Sequence, residues 1–372
     1  MIPNRKRFRS LGKYALACGS ELLSPLIRAV SKSDRETPPQ AWRRGLLLGA
    51  DHIGDVLYNT ASLPHLRQGL PECRWSYVAE APADEVLAGN PNVDSVLSRS
   101  LVKRMPAGSF DVAICYNSSS TSRDLLFAAR LQIPNRVGYP DKGFSSLVTF
   151  PIKIRYPQPY PAYFRDLVGQ VTRRPPDWDL RPQIFPTSED MAAADEAWNS
   201  LGLNGSARVV ACFATSRQPS GVWPAAKFAE TLSHIEARSG AQTILCGTAG
   251  DAAALHALKR QFGLRAMIMA GELRLLALAC FLRRCAVVLC PDSGPRHLAN
   301  AVGTPVVFVR NLAVGKIETG VYCDTEMDVA PDVERVPRTD QPDVFARLRP
   351  EMISAVVTAR ISPTATRKIH SP

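Results

Sequence analysis

The sequence has no Cys-X-X-Cys pair, no Gly-X-Gly-X-X-Gly turn, no Walker loop and no long uninterrupted apolar run. The missing glycine fingerprint and phosphate loop argue against dehydrogenases and P-loop enzymes. Nine cysteines are scattered, and Cys115, Cys212, Cys246 and Cys290 sit inside apolar runs. They read as small buried hydrophobes, not as zinc ligands or a disulfide framework, and a reducing cytoplasm fits that usage. The stretch from Leu11 to Val30 is interrupted by Lys13, Glu21 and Arg28 and contains Pro25. It therefore reads as neither a transmembrane helix nor a secretory signal, which leaves an amphipathic surface helix. Acidic residues are scarce at the start. Ten Lys and Arg lie between Arg5 and Arg44, opposed only by Glu21, Asp34 and Glu36.

What is present is ordinary globular material: 372 residues, 45% hydrophobic and 21% charged, with a formal net charge of +11. That length favours two hydrophobic cores over one. Short apolar runs alternate with helical spacing twice over. The first set is RRGLLLGA from Arg43, a helix from Val56 to Arg67, RWSYVAE from Arg74, DSVLS from Asp94, FDVAICYN from Phe110, a helix from Ser122 to Leu131, and RVGY from Arg136. The second begins with ARVVACFAT at Ala207 and ends with AVVLCPD, a helix from Pro295 to Val302, and TPVVFVRN. Alternation of this kind builds mostly parallel sheets covered on both faces, an α/β class. Seven prolines between Pro157 and Pro186 break any regular pattern and mark the connection between two doubly wound units, which would leave a cleft between facing strand ends. The resulting division is a basic arm over 1–42, either disordered or a membrane-surface helix, a first unit over 43–180, a second over 181–345, and a C-terminal helix and tail over 346–372. That last helix, expected over Val344 to Val357, could return to the first unit.

Ligands of open parallel sheets bind beyond the carboxyl ends of the strands, and four loops there carry polar residues. In Asp51-His52-Ile53-Gly54-Asp55, Gly54 permits an unusual turn and Asp55 meets the helix dipole, either as a plain N-cap or as a catalytic carboxylate. In Pro291 to Leu298, Asp292 and Ser293 end an apolar strand. Gly294 permits close backbone approach and Pro295 suits a first helical turn, so free amides there suit a diphosphate or simply belong to a capped helix. Thr215, Ser216 and Arg217 offer hydroxyls and a guanidinium to phosphate, and Asp251 offers a carboxylate to a ribose diol. The one Asp-X-Asp triplet, Asp177-Trp178-Asp179, lies in the proline-rich connection and is read as linker. No metal site or cofactor is assigned.

Taken together, Ile53-Gly54-Asp55-Val56, Gly89-Asn90-Pro91-Asn92-Val93-Asp94, Trp223-Pro224 and Asp292-Ser293-Gly294-Pro295 with His297-Leu298 resemble, in that order, glycosyltransferase family 9, the ADP-heptose:lipopolysaccharide heptosyltransferases. The resemblance runs from about Arg44 to Asn311. It implies a GT-B fold, two Rossmann-like domains with acceptor on the first and nucleotide-sugar donor on the second, and inverting, metal-independent transfer. Carried over motif by motif, Asp55 would be the general base, Asp292 would lie near the donor sugar, Ser293 and Gly294 would face the diphosphate, Thr215 and Ser216 would line the phosphate-side loop, and Asp251 would meet the ribose. The family Lys two residues before Trp-Pro is Gly221 here, and the His that often opens the phosphate loop is Phe213. Arg217 or Arg296 would then supply the missing charge.

The resemblance points to ADP-heptose as donor and to a lipid-linked lipopolysaccharide core or related glycan as acceptor, with the basic arm touching the anionic inner face of the cytoplasmic membrane. Two alternatives stay open: a transferase with another nucleotide-sugar donor, and a degenerate chain that binds nucleotide or glycan without turnover. Nucleic acid is not a partner, because no aromatic and basic residues interleave.

Overall fold

Near-continuous apolar runs form the strands of two parallel sheets in a computed structural model that describes residues 11–30, 36–49, 52–116, 121–203, 208–216, 222–337 and 339–361. The chain divides between Leu180 and Arg181 into two units, each with its own sheet. In the first unit β1 (Arg44–Leu48), β2 (Arg74–Val78), β3 (Ser95–Leu97), β4 (Val112–Cys115), β5 (Asn135–Gly138) and β6 (Phe150–Pro151) stand in the order β3-β2-β1-β4-β5-β6. In the second, β7 (Val209–Cys212), β8 (Gln242–Gly247), β9 (Met267–Ala270), β10 (Val287–Pro291), β11 (Val306–Val309) and β12 (Glu326–Asp328) stand in the order β12-β11-β10-β7-β8-β9. Both orders are the doubly wound Rossmann order. Each sheet therefore has a switch point, between β1 and β4 in one unit and between β7 and β10 in the other.

Central strands buried on both faces need apolar residues at every position, and β4, β7 and β10 are buried throughout. Cys115, Cys212, Cys246 and Cys290 take part in that burial. Gly45 of β1 is required by packing, since a Cβ there would run into the Trp75 ring. The core of the second unit joins Val210, Leu232, Leu245 and Leu289 to Ile353 and Val357.

Proline sets most departures from the expected elements. The single helix expected over Val56 to Arg67 is two, Ile53–Thr60 and Leu63–Gly69, with Pro64 in the first turn of the second. The stretch read as irregular connection contains a 13-residue helix, Tyr160–Thr172, because Pro161 falls in its first turn, where a missing N–H costs nothing. That helix packs on the helices Ile53–Thr60 and Leu63–Gly69. Trp178 of the Asp-X-Asp triplet stacks on His65 at 4.0 Å and donates to Ser62, anchoring the triplet to the first unit. The C-terminal segment is likewise two helices, Gln341–Ala346 and Pro350–Ile361, separated before Pro350, and the second packs in the core of the second unit. Within the 1–42 arm, Leu11–Val30 is helical.

Candidate functional site

In the first unit the switch-point loop leaves β1 at Gly49, whose φ of +127° makes the unusual turn that was expected at Gly54. Gly54 instead lies inside the helix Ile53–Thr60, whose N-cap is the exposed residue His52; the His52 carbonyl accepts the Val56 amide at 3.1 Å. Asp51 lies outside the described residues. Asp55 is half-buried in the first turn and is not the N-cap, so its carboxylate faces the positive end of the helix dipole. Beneath it, Asn59 donates one amide hydrogen to the Asp55 carbonyl at 2.6 Å and the other to the Tyr77 hydroxyl at 3.1 Å. Tyr77 also accepts from Tyr116, the residue that follows β4. Burial pushes the Tyr77 phenol up, hydrogen bonds from Tyr116 and Asn59 oppose this, and the Asp55 charge adds to the rise. The result is a neutral, hydrogen-bonded floor that fixes the first turn carrying Asp55.

In the second unit, β7 and β8 end side by side and bring Thr215 and Asp251 together by a side-chain hydrogen bond. Asp251 also closes its own turn, accepting the Thr248 amide at 2.8 Å and the Thr248 hydroxyl at 2.6 Å. Burial raises its carboxyl, but the Thr248 and Thr215 hydrogen bonds outweigh that and hold it below the ordinary carboxylate value. Ser216 is half-buried beside Thr215, and Arg217 and Gly221 lie outside the described residues.

The loop after β10 is anchored by the Asp292 amide, which donates to Val309 at 3.1 Å. Ser293 is the N-cap of the helix Gly294–Val302, yet its hydroxyl turns back to the Pro291 carbonyl at 3.2 Å and does not cap. With Pro295 in the first turn, Ser293, Gly294 and Pro295 are the partly exposed start of that helix, where an anion is favoured.

Arg296 and His297 point the other way, which corrects their assignment to the donor. The Arg296 side chain is wholly buried, with Nε and Nη2 on Glu326 at 2.6 and 2.9 Å and Nη1 on Asp292 at 2.8 Å. Its other two N–H groups go to the carbonyls of Thr319 at 2.8 Å and Gly320 at 2.6 Å. All five donors are used, so none remains for a phosphate. The guanidinium also lies 3.6 Å over the Phe308 ring. Its charge therefore reaches the loop only through Asp292. His297 pairs through Nδ1 with the Tyr322 hydroxyl at 2.7 Å. Burial first, and then the Arg296 charge, keep its pKa well below the ordinary value, so the ring is neutral. Burial pushes the Asp292 carboxyl up against the opposing pull of Arg296.

Glu326 is the residue that sequence reasoning missed. It lies on the three-residue edge strand β12, which has no apolar run to announce it. Besides Arg296 it accepts from Asn300 at 2.6 Å and from the Tyr322 amide at 2.8 Å. The available signal was Arg296 itself, a charge among the apolar positions of its helix, which demands a buried counterion. Among the described residues one group has metal-ligand spacing, Glu230, His234 and Glu351, on helices away from these loops, and Lys227 already pairs with Glu230 at 2.8 Å.

Residues 98–309 match glycosyltransferase family 9 (heptosyltransferase). Lipopolysaccharide heptosyltransferase 3 of Escherichia coli K12 is 22% identical over 279 residues, covering 68% of this chain and 78% of that protein. Among solved structures, a glycosyl transferase family 9 protein from Veillonella parvula superposes with a TM-score of 0.72 at 18% identity, covering 88% of this chain and 99% of the other. The E. coli ADP-heptose lipopolysaccharide heptosyltransferase II gives 0.66 at 16% identity, covering 86% and 98%. The fold is GT-B, two Rossmann-like units with parallel six-stranded sheets.

Proposed function

Since the chain belongs to glycosyltransferase family 9 and is a glycosyltransferase, we propose that it transfers heptose from ADP-heptose to a lipopolysaccharide core or related surface glycan, with inversion and without a metal ion. The observation that carries this reading is the placement of the family's motifs. Asp55 sits at the switch point of one sheet, and Thr215, Ser216, Asp251 and Asp292–Pro295 sit at strand ends of the other. The names of two similar E. coli proteins support the same donor and acceptor.

In the reaction, the Asp55 carboxylate accepts the proton of an acceptor hydroxyl as its oxygen attacks the anomeric carbon. The new C–O bond forms as the bond to the phosphate oxygen breaks, and the electron pair leaves with the nucleoside diphosphate. Ser293 and Gly294, at the start of their helix, face the charge that grows on that leaving group. Asp292, steadied by Arg296, contacts the sugar, and Asp251 with Thr215 meets the ribose and phosphate side. The enzyme works at the inner face of the cytoplasmic membrane, where a lipid-linked acceptor is presented.

Titration of ADP-, UDP- and GDP-linked sugars by calorimetry tests the donor. ADP-heptose is expected to bind at least about tenfold more tightly than the others, a difference of about 1.4 kcal/mol. Preference for a UDP or GDP sugar overturns the donor. ADP-heptose binding with no turnover on any glycan acceptor favours the non-catalytic reading, which Gly221 in place of the family Lys makes specific.

A further inference from the structure

The helix Leu11–Val30 is seated on the first unit by its polar side. Glu21 accepts the Ser145 amide at 2.8 Å and also bonds the Ser145 hydroxyl. Ala17 is buried. Gly143, at φ +102°, makes the close approach, because a Cβ there would meet the Ser20 hydroxyl at 2.5 Å. Among the described side chains the outward side is apolar. Leu16, Leu22, Leu23 and Leu26 are 75, 84, 56 and 65% exposed. Among the described side chains of this helix, every exposed position is Gly, Ala, Leu or Pro. A surface helix normally shows water the opposite face, and a contiguous apolar stripe marks something that covers it.

We infer that this stripe lies in the interfacial layer of an anionic phospholipid bilayer. The charge around it fits that occupant. Arg5, Lys6, Arg7 and Arg9 precede the helix and Lys32 and Arg35 follow it, while Glu21, the sole acidic residue before Asp34, is engaged by Ser145. Apolar area and flanking cations are the two requirements of an in-plane membrane helix. No described helix is long and apolar enough to cross a membrane, and Pro25 within this one agrees with lying in the interface. The inference deepens the proposed reaction by bringing the first unit to the surface that presents a lipid-linked acceptor, but it stands on the helix and not on the chemistry.

The test uses the full chain and vesicles of phosphatidylcholine with or without phosphatidylglycerol, read by co-sedimentation. The protein is expected to pellet with the anionic vesicles, less so at high salt. Combined Leu16→Ser, Leu22→Ser, Leu23→Ser and Leu26→Ser should cut that partition at least about tenfold with thermal unfolding unchanged. A Leu23→Trp variant, which keeps the apolar area, should show a blue-shifted emission quenched by brominated acyl chains. Wild-type protein that ignores anionic vesicles, a serine variant that binds undiminished, or a lipid-free dimer abolished by the same substitutions would each overturn the inference, the last by assigning the stripe to a second copy. Turnover on a water-soluble acceptor fragment is read in parallel. A chain that transfers sugar yet ignores vesicles removes this inference alone, and one that binds vesicles yet transfers nothing removes the proposed reaction alone.

Discussion

Replacing Arg296 by Met removes the one cation from a buried set in which it links Asp292, at 2.8 Å, to Glu326, at 2.6 Å. Both carboxylates then lose their counterion where water does not reach, since the Glu326 side chain is fully buried and that of Asp292 is 8% exposed. Breaking a buried ion pair from one side costs about 3–5 kcal/mol. With a urea dependence of about 2 kcal/mol per molar, the unfolding midpoint of the second unit should fall by roughly 1.5–2.5 M. Donor binding should weaken as well, because Asp292 loses a charge-assisted hydrogen bond worth about 1.5–3 kcal/mol, or roughly 10–150-fold. Adding Glu326→Gln to Arg296→Met removes one stranded charge, so the double variant should be more stable than the sum of the single losses, by about 1 kcal/mol or more. The assay is urea unfolding followed by tryptophan fluorescence, paired with calorimetric titration of ADP-heptose and of ADP, which lacks the sugar that Asp292 is proposed to contact and so should bind as before. An Arg296→Met protein of unchanged stability whose ADP affinity collapses would overturn the buried-counterion role. It would mean that Arg296 touches the diphosphate directly.

His297 gives a pH signature. Its folded pKa lies well below the ordinary value, so below about pH 6.5 the unfolded chain takes up a proton that the folded chain refuses, and stability is lost as pH falls, by up to about 1.4 kcal/mol per unit. His297→Gln should lose less stability than wild type between neutral and mildly acidic buffer, and equal losses would contradict the burial argument. Tyr77→Phe leaves the Tyr116 hydroxyl and one Asn59 amide hydrogen without their buried partner. It should cost about 1–3 kcal/mol in unfolding and lower kcat with little change in the KM for the donor, because the first turn carrying Asp55 loosens while the second unit is untouched. A changed donor KM with intact kcat would count against that floor.

The two doubly wound sheets were legible because their central strands are buried on both faces and so read as plain apolar runs. Val287–Pro291 and Val209–Cys212 are examples. The edge strands Phe150–Pro151 and Glu326–Asp328 were not legible, having two and three residues and no apolar pattern. The helix Tyr160–Thr172 was hidden by the prolines around it, since proline in a first turn and proline in an irregular connection look alike in sequence. Loop positions at the strand ends could be placed from strand order, but side-chain direction could not. Arg296 and His297 sit one and two residues past Pro295 on a helix whose next turn is buried, and only the packing of Glu326 and Tyr322 shows that they face inward. Likewise, the choice between N-cap and first-turn acid at Asp55 depended on where the helix begins, a boundary that varies by a residue or two.

In the proposed sugar transfer Asp55 removes the acceptor proton. The direct measurement compares wild-type and Asp55→Asn protein for ADP release and glycan product, with ADP-heptose and a lipopolysaccharide core acceptor. Wild-type turnover is expected, with a kcat lower by about 10²–10⁴ in the variant and ADP affinity the same in both. Full activity in Asp55→Asn would contradict that role of Asp55.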